Sequence, residues 1–297
     1  MIKNDAAFRL RRLISRAGCT PAPGVFAPSV ALLAERMGFR AIYLSGAAYS
    51  GLLGLPDLGF TTMTEVATAA GQITSRVDLP LIVDVDTGFG EALNVSRTVQ
   101  EMERVNAAAI QIEDQVMPKR CGHLEGKQLI ETEEMLKKIV SAKEASRNRV
   151  VIIGRTDAAS VEGIDSALER ARSYARAGAD MIFPEALRNA DEFREFAKKV
   201  DVPLLANMTE FGKTDFISVS RFERLGYKIV IFPVTTFRVM MRAVERSLQK
   251  LAREGTQKGF IGDLMTRQEF YDLIDYDAYS DNDRSVAATA RTILVSD

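Results

Sequence analysis

Short apolar runs recur along the chain, and most are followed by a stretch whose apolar positions fall at helical spacing. Runs at 24–26, 41–44, 79–83, 107–112, 150–154, 181–183, 202–206 and 229–232 predict eight strands. Helical patterns lie between them at 29–37, 63–74, 93–105, 133–146, 163–177 and 190–199. The strands are apolar throughout rather than alternating, which suits a sheet buried on both faces. Strands separated by helices imply parallel pairing with right-handed crossovers. Eight such units in about 230 residues point to an α/β fold of the closed (β/α)8 TIM type. An open doubly wound sheet is the rival, but the Gly-rich phosphate loop it usually carries is missing. Gly88-Phe89-Gly90 is too weak a match to stand for one. After residue 255 the pattern breaks into a linker (254–259), a short amphipathic helix near 266–273 and a polar acidic tail. The chain thus reads as one barrel domain over 1–297, with the barrel at about 20–255. The appendage at 256–297, read as a helical segment, has no core of its own and must pack on a barrel.

Composition narrows the classes. Apolar residues are 46% of 297, enough for a large core, and the net charge of −1 offers no basic face for nucleic acid or an anionic membrane. No apolar run nears the ~20 residues of a membrane span, and the N-terminus lacks a signal-peptide core. Two cysteines, Cys19 and Cys121, do not make a disulfide framework, so a reducing cytoplasm is the expected location.

Candidate chemistry gathers at the predicted strand ends. Strand two ends at Ser45-Gly46-Ala47, three at Asp84-Val85-Asp86, four at Glu113-Asp114, five at Arg155-Thr156-Asp157, six at Pro184-Glu185 and seven at Asn207-Met208-Thr209. In a barrel these ends converge on one face. Capping accounts for some of them, Thr156-Asp157 in particular. It does not account for Asp84, Asp86, Glu113 and Glu185 together, because adjacent carboxylates repel without a cation or protons. Oxygen donors without His or Cys suit Mg²⁺, or Mn²⁺, better than Zn²⁺. Arg155, and Arg238 beyond strand eight, add guanidinium forks for carboxylates. The 113–127 stretch then supplies Lys119-Arg120-Cys121-Gly122-His123, with the only histidine and a thiol whose basic neighbours should lower its pKa. Together these groups suit a small polycarboxylate whose reaction passes through an enolate.

The motifs Asp84-Val85-Asp86-Thr87-Gly88-Phe89-Gly90, Glu113-Asp114-Gln115, Lys119-Arg120-Cys121-Gly122-His123, Arg155-Thr156-Asp157-Ala158 and Asn207-Met208-Thr209-Glu210-Phe211-Gly212 resemble the isocitrate lyase/phosphoenolpyruvate mutase superfamily. The resemblance runs from about residue 10 to 280, and the Cys-bearing box is its specific part, typical of the superfamily's carbon–carbon lyases. It implies a barrel whose C-terminal helix is swapped between subunits of a homotetramer. The implied activity is Mg²⁺-dependent cleavage of a tricarboxylate, 2-methylisocitrate, to pyruvate and succinate in the methylcitrate route of propionate breakdown.

By position the resemblance makes Asp84 and Asp86 the Mg²⁺ residues, with Asp57 and Glu113 nearby. Ser45, Gly46, Ala47, Cys121, Gly122, Arg155, Glu185, Asn207, Thr209, Arg238 and Arg267 match substrate contacts. Cys121 is the expected proton donor to carbon, with His123 beside it, and Tyr43, Glu113 and Glu185 are the candidate bases. Ala47 and Leu124-Glu125-Gly126 depart from the common bacterial pattern, which leaves 2,3-dimethylmalate as an alternative substrate. A decarboxylase or hydrolase of the same superfamily, and a silent barrel kept for binding, are the remaining alternatives.

Overall fold

A computed structural model describes residues 6–146 and 149–295 and divides into two compact units after Val239. In the first unit eight parallel strands run in chain order: β1 (Thr20–Pro23), β2 (Ile42–Leu44), β3 (Leu81–Asp84), β4 (Ala109–Glu113), β5 (Val151–Thr156), β6 (Met181–Pro184), β7 (Leu205–Asn207) and β8 (Ile229–Phe232). β2 to β6 form one continuous set and β7-β8-β1 a second. Single parallel bridges, Gly24 to Tyr43 and Ile182 to Leu204, join the two sets, so the barrel closes.

Seven strands fall within two or three residues of their predicted places, but β1 lies at 20–23 rather than 24–26. Its sequence, Thr-Pro-Ala-Pro, argues against a strand because proline donates no hydrogen bond. The register resolves this. Thr20 donates to the Lys228 carbonyl just before β8 and Gly24 to the Phe232 carbonyl, at 2.9 Å each, and Pro21 and Pro23 take the intervening positions, where β8 asks for no donor. Gly24 then passes so close to the Pro233 carbonyl that any Cβ would collide with it.

Side chains alternate between two cores. Tyr43, Ile82, Val151, Ile153, Phe183, Leu205 and Ile231 fill the barrel interior, and Leu10 and Ile14 of the helix Ala6–Ser15 share that cluster. Val83, Ile110, Ile112, Ile152, Ile182 and Val230 face the surrounding helices.

The second unit is helical. Arg267–Leu273 is a helix as predicted, with Thr266 and Glu269 forming a capping box, and the acidic tail is a 20-residue helix, Tyr276–Val295. No Gly or Pro interrupts residues 276–295, and the Ala-rich second half favours helix despite the charge of the first. Among the described residues no helix is long and apolar enough to cross a membrane.

Candidate active site

The period of two along each strand decides which polar residue reaches the barrel mouth. Ile82 points inward, so Asp84 does too, and likewise Gln111 then Glu113, Ile153 then Arg155, Phe183 then Glu185, and Leu205 then Asn207. All of these are buried. Asp114 falls on the other face. It accepts from the Tyr174 hydroxyl at 2.7 Å and from the Asp157 N–H at 2.9 Å, and it supports the fold rather than the site.

A cavity of about 540 Å³, continuous with solvent, opens above these residues. Tyr43, Ser45, Ala47, Asp57, Asp84, Lys119, Cys121, Gly122, His123, Arg155, Glu185, Asn207, Thr209 and Arg238 all line it. The sequence-predicted site is therefore largely brought together. Arg155 is its hub. Its guanidinium lies 3.3 Å from Glu113, 2.9 Å from Asp157 and 3.3 Å from Glu185, over the Phe183 ring. Asn207 Nδ2 donates to both Glu185 oxygens at 3.2 and 3.3 Å. Burial raises the Glu185 pKa, but Arg155 and then His123 more than offset it, leaving the carboxyl at about 2. Burial pushes Glu113 well above the usual carboxylate range, and Arg155 and Lys119 offset this only in part.

The 119–127 loop closes over this hub. Gly122 packs so tightly that a Cβ there would sit 2.7 Å from Arg155 Nη2, a contact only glycine avoids. His123 Nδ1 accepts from the Lys213 N–H at 3.0 Å, which puts the ring proton on Nε2, 3.3 Å from Glu185 Oε1. Cys121 is half-buried. Burial raises its thiol pKa, Glu185 and Asp57 push the same way, and only the His123 N–H and Arg155 oppose them. The expected lowering by Lys119 and Arg120 is therefore reversed. The sulfur stays a thiol, the state a proton donor needs.

Several expectations need correction. The Tyr43 hydroxyl is buried and donates to Gln111 at 2.7 Å, and burial with Asp84 nearby lifts its pKa well above 10. Asp157 makes no helix cap; it binds Arg155 and Lys127 instead. Ser45 does cap the helix Gly46–Leu52, accepting from the Ala48 N–H, while it also lines the cavity. Arg238 is held at the rim by the Glu210 carbonyl and carboxylate, at 2.6 and 3.0 Å. Arg267 belongs to the second unit, so its assignment rests on the resemblance alone.

The metal residues are not arranged around an open centre. Among the described residues no three carboxylate, thiol or imidazole groups meet as a metal cage. Lys119, read from sequence only as a neighbour of the thiol, supplies the positive charge. Its buried ammonium pairs with Asp57 and, at 2.8 Å, with Asp86. Burial raises Asp86 to about 6 even so, with Asp84 adding to the rise and Lys119 opposing it. The donors nevertheless fit a hard divalent cation. All are oxygens, Asp84 and Asp86 both border Gly46, and Glu113 Oε1 is buried with no hydrogen-bond partner.

The profile of the phosphoenolpyruvate phosphomutase family matches residues 10–252. The chain belongs to this family. Within it, a 2-methylisocitrate lyase from Aeropyrum pernix is 58% identical over 285 residues, covering 96% of this chain and 92% of that protein. The solved structure of 2,3-dimethylmalate lyase, a member of the PEP mutase/isocitrate lyase superfamily, has a TM-score of 0.89 at 33% identity and covers 95% of each chain. A phosphonopyruvate hydrolase solved with oxalate and Mg²⁺ has a TM-score of 0.83 at 29% identity, over 97% of this chain and 99% of that one. The motif resemblance is thus borne out, and the barrel with it.

Besides Lys119, sequence reasoning missed two residues of this phosphomutase-family site. Lys127 reads as one more loop charge, yet its side chain is buried on Asp157. Phe183 reads as strand core, yet it carries the Arg155 guanidinium on its ring.

Proposed function

We propose that the chain is a carbon–carbon lyase that cleaves 2-methylisocitrate to pyruvate and succinate, and that it acts in the cytoplasm. The observation that carries this reading is the half-buried Cys121 thiol, its pKa raised by burial, on a loop clamped over the Arg155–Glu185–Asn207 cradle. A family member that only decarboxylates or hydrolyses has no need of a thiol acid there.

Arg155 and Asn207 bind a substrate carboxylate, and the 45–47 turn, Thr209 and Arg238 bound the rest of the cavity. Asp84 and Asp86 would hold Mg²⁺, or Mn²⁺, with Asp57 and Glu113 around it. When bound, the cation acidifies the substrate hydroxyl and balances carboxylate charge. Glu185 is committed to Arg155 and Asn207, whereas Glu113 has one buried oxygen with no hydrogen-bond partner. Glu113 Oε1 therefore accepts the hydroxyl proton. The C2–C3 bond breaks, its electron pair leaves C2 as the keto carbon of pyruvate and stays on the succinate-side carbon. The Cys121 Sγ–H protonates that carbon, and His123 holds the loop in register. The closed loop keeps water from the carbanion.

Parallel product assays with 2-methylisocitrate, isocitrate and 2,3-dimethylmalate test the reading. Pyruvate and succinate from the first, in large excess over turnover of the others, is the expected result. Preferred cleavage of 2,3-dimethylmalate would replace the substrate but keep the chemistry. EDTA should abolish turnover and Mg²⁺ restore it; full activity in metal-free buffer would remove the cation from the scheme.

The assembly is a homotetramer in which the second unit packs on a neighbouring barrel. Met241, Val244, Leu248 and Leu251 fall on one stripe of the helix Thr235–Glu254, and all are exposed, as are Ile261, Leu264 and Phe270. A stripe at this spacing is the usual seam between helices. Deleting 259–297 should lower the subunit count seen by light scattering, and an unchanged count would remove the swap.

A further inference from the structure

The 119–127 loop is pinned at both ends by lysines, and the mechanism uses neither of them as an acid or base. Lys119 pins the first end to Asp57 and Asp86. At the other end Lys127 Nζ lies 2.8 Å from Asp157 Oδ1 and also donates to the Gly122 carbonyl. Both side chains of this second pair are buried, at 1% and 0% exposure. Asp157 also accepts from Arg155, through Nε at 2.9 Å and Nη2 at 3.2 Å. One carboxylate thus joins the hub of the cradle to the peptide that follows Cys121.

From this we infer that Lys127 is a positioning residue: a latch that holds the Cys121 loop closed and ties its closure, through Asp157, to the placement of Arg155. The inference deepens the lyase reading and rests on it for the role of Cys121. A loop charge becomes worth burying when its partner is already fixed. Asp157 is fixed by Arg155, and its N–H is held by Asp114. A buried, hydrogen-bonded ion pair of this kind specifies one geometry more than it adds stability. It also forms only when residues 122 and 127 both reach the cradle, so the loop has a defined closed state. Lys213 reinforces that state from outside by pairing with Glu125 and donating its N–H to His123.

The test is the rate at which iodoacetamide alkylates Cys121 in the full-length protein, followed by peptide mass spectrometry, with buried Cys19 as the internal control. Lys127→Met keeps the length of the side chain and removes its charge, and Asp157 retains Arg155, so the barrel should fold. Cys121 should label on the order of 10-fold faster than in the wild type while Cys19 stays protected. Asp157→Asn should give a similar gain, and the double variant no more than either single one, as residues acting through one link do. In turnover, Lys127→Met should lower kcat on the order of 10-fold or more with KM changed far less, because loop closure, not carboxylate binding, is impaired. Unchanged Cys121 labelling in Lys127→Met, or fully additive gains in the double variant, would overturn the latch. Should Cys19 also label in Lys127→Met, the less drastic Lys127→Gln must show the selective Cys121 gain, and its failure to do so overturns the proposal equally. Labelling needs no substrate, so a wild type that labels as expected but does not cleave 2-methylisocitrate removes the proposed substrate and leaves the latch standing.

Discussion

Replacing Cys121 with serine should lower kcat on the order of 10²–10⁴-fold, the usual contribution of a positioned acid. The fold and the carboxylate cradle should remain. Oxygen and sulfur are close enough in size for the loop to close, and a serine oxygen can accept the His123 backbone N–H that the sulfur accepts. What changes is acidity. The thiol's pKa is raised by burial, yet it remains a far stronger acid than a serine hydroxyl in the same place. The loss should sit in kcat with KM little altered, because the missing interaction is made only as the carbanion forms. Alkylation should inactivate the wild type, and succinate with Mg²⁺ should slow it. Cys19→Ser should be nearly silent, since that thiol is buried in the outer core with a pKa of about 12. Cleavage by Cys121→Ser at close to the wild-type rate would make the thiol a mere loop residue, although the barrel and the cradle would stand.

How far the site was legible follows from which side chains obey local rules. β3 to β6 are nearly continuous apolar runs, so their ends were visible, and the period of two then separates Glu113 from Asp114 without any structure. β1 was hidden because its prolines break the strand rule at positions where only the register shows that no donor is needed. Lys119 and Lys127 were hidden for another reason. In a polar loop a lysine looks solvated, and only the tertiary placement of Asp57, Asp86 and Asp157 makes burial tolerable. The same blindness led to the thiol being read as activated. Its neighbours in sequence are cations, but burial and the carboxylates of Glu185 and Asp57 dominate its surroundings.

Arg155→Met should be the most destabilising single change at the site, at about 3–5 kcal/mol near neutral pH, the cost of stranding buried partners. Three carboxylates, Glu113, Asp157 and Glu185, converge on this guanidinium, and each is 0–2% exposed. Methionine fills much of the space and keeps the contact with Phe183, so the loss is chiefly electrostatic. For a chain of this size that corresponds to a fall in Tm on the order of 10 °C. The pH dependence identifies the cause. In the wild type the Glu185 pKa lies at about 2, below its unfolded value, so its contribution is complete above the unfolded pKa and is lost as pH falls from there toward 2. Without Arg155 the burial that opposes ionisation prevails for Glu185 as it already does for Glu113, and both folded pKa values lie above their unfolded ones. Carboxyls shifted in that direction destabilise the fold as pH rises through the folded pKa, so Arg155→Met should regain stability between pH 7 and pH 5. Urea denaturation at these two pH values checks it. A variant as stable as the wild type at pH 7, or one that weakens further at pH 5, would show that Arg155 does not hold these carboxylates together.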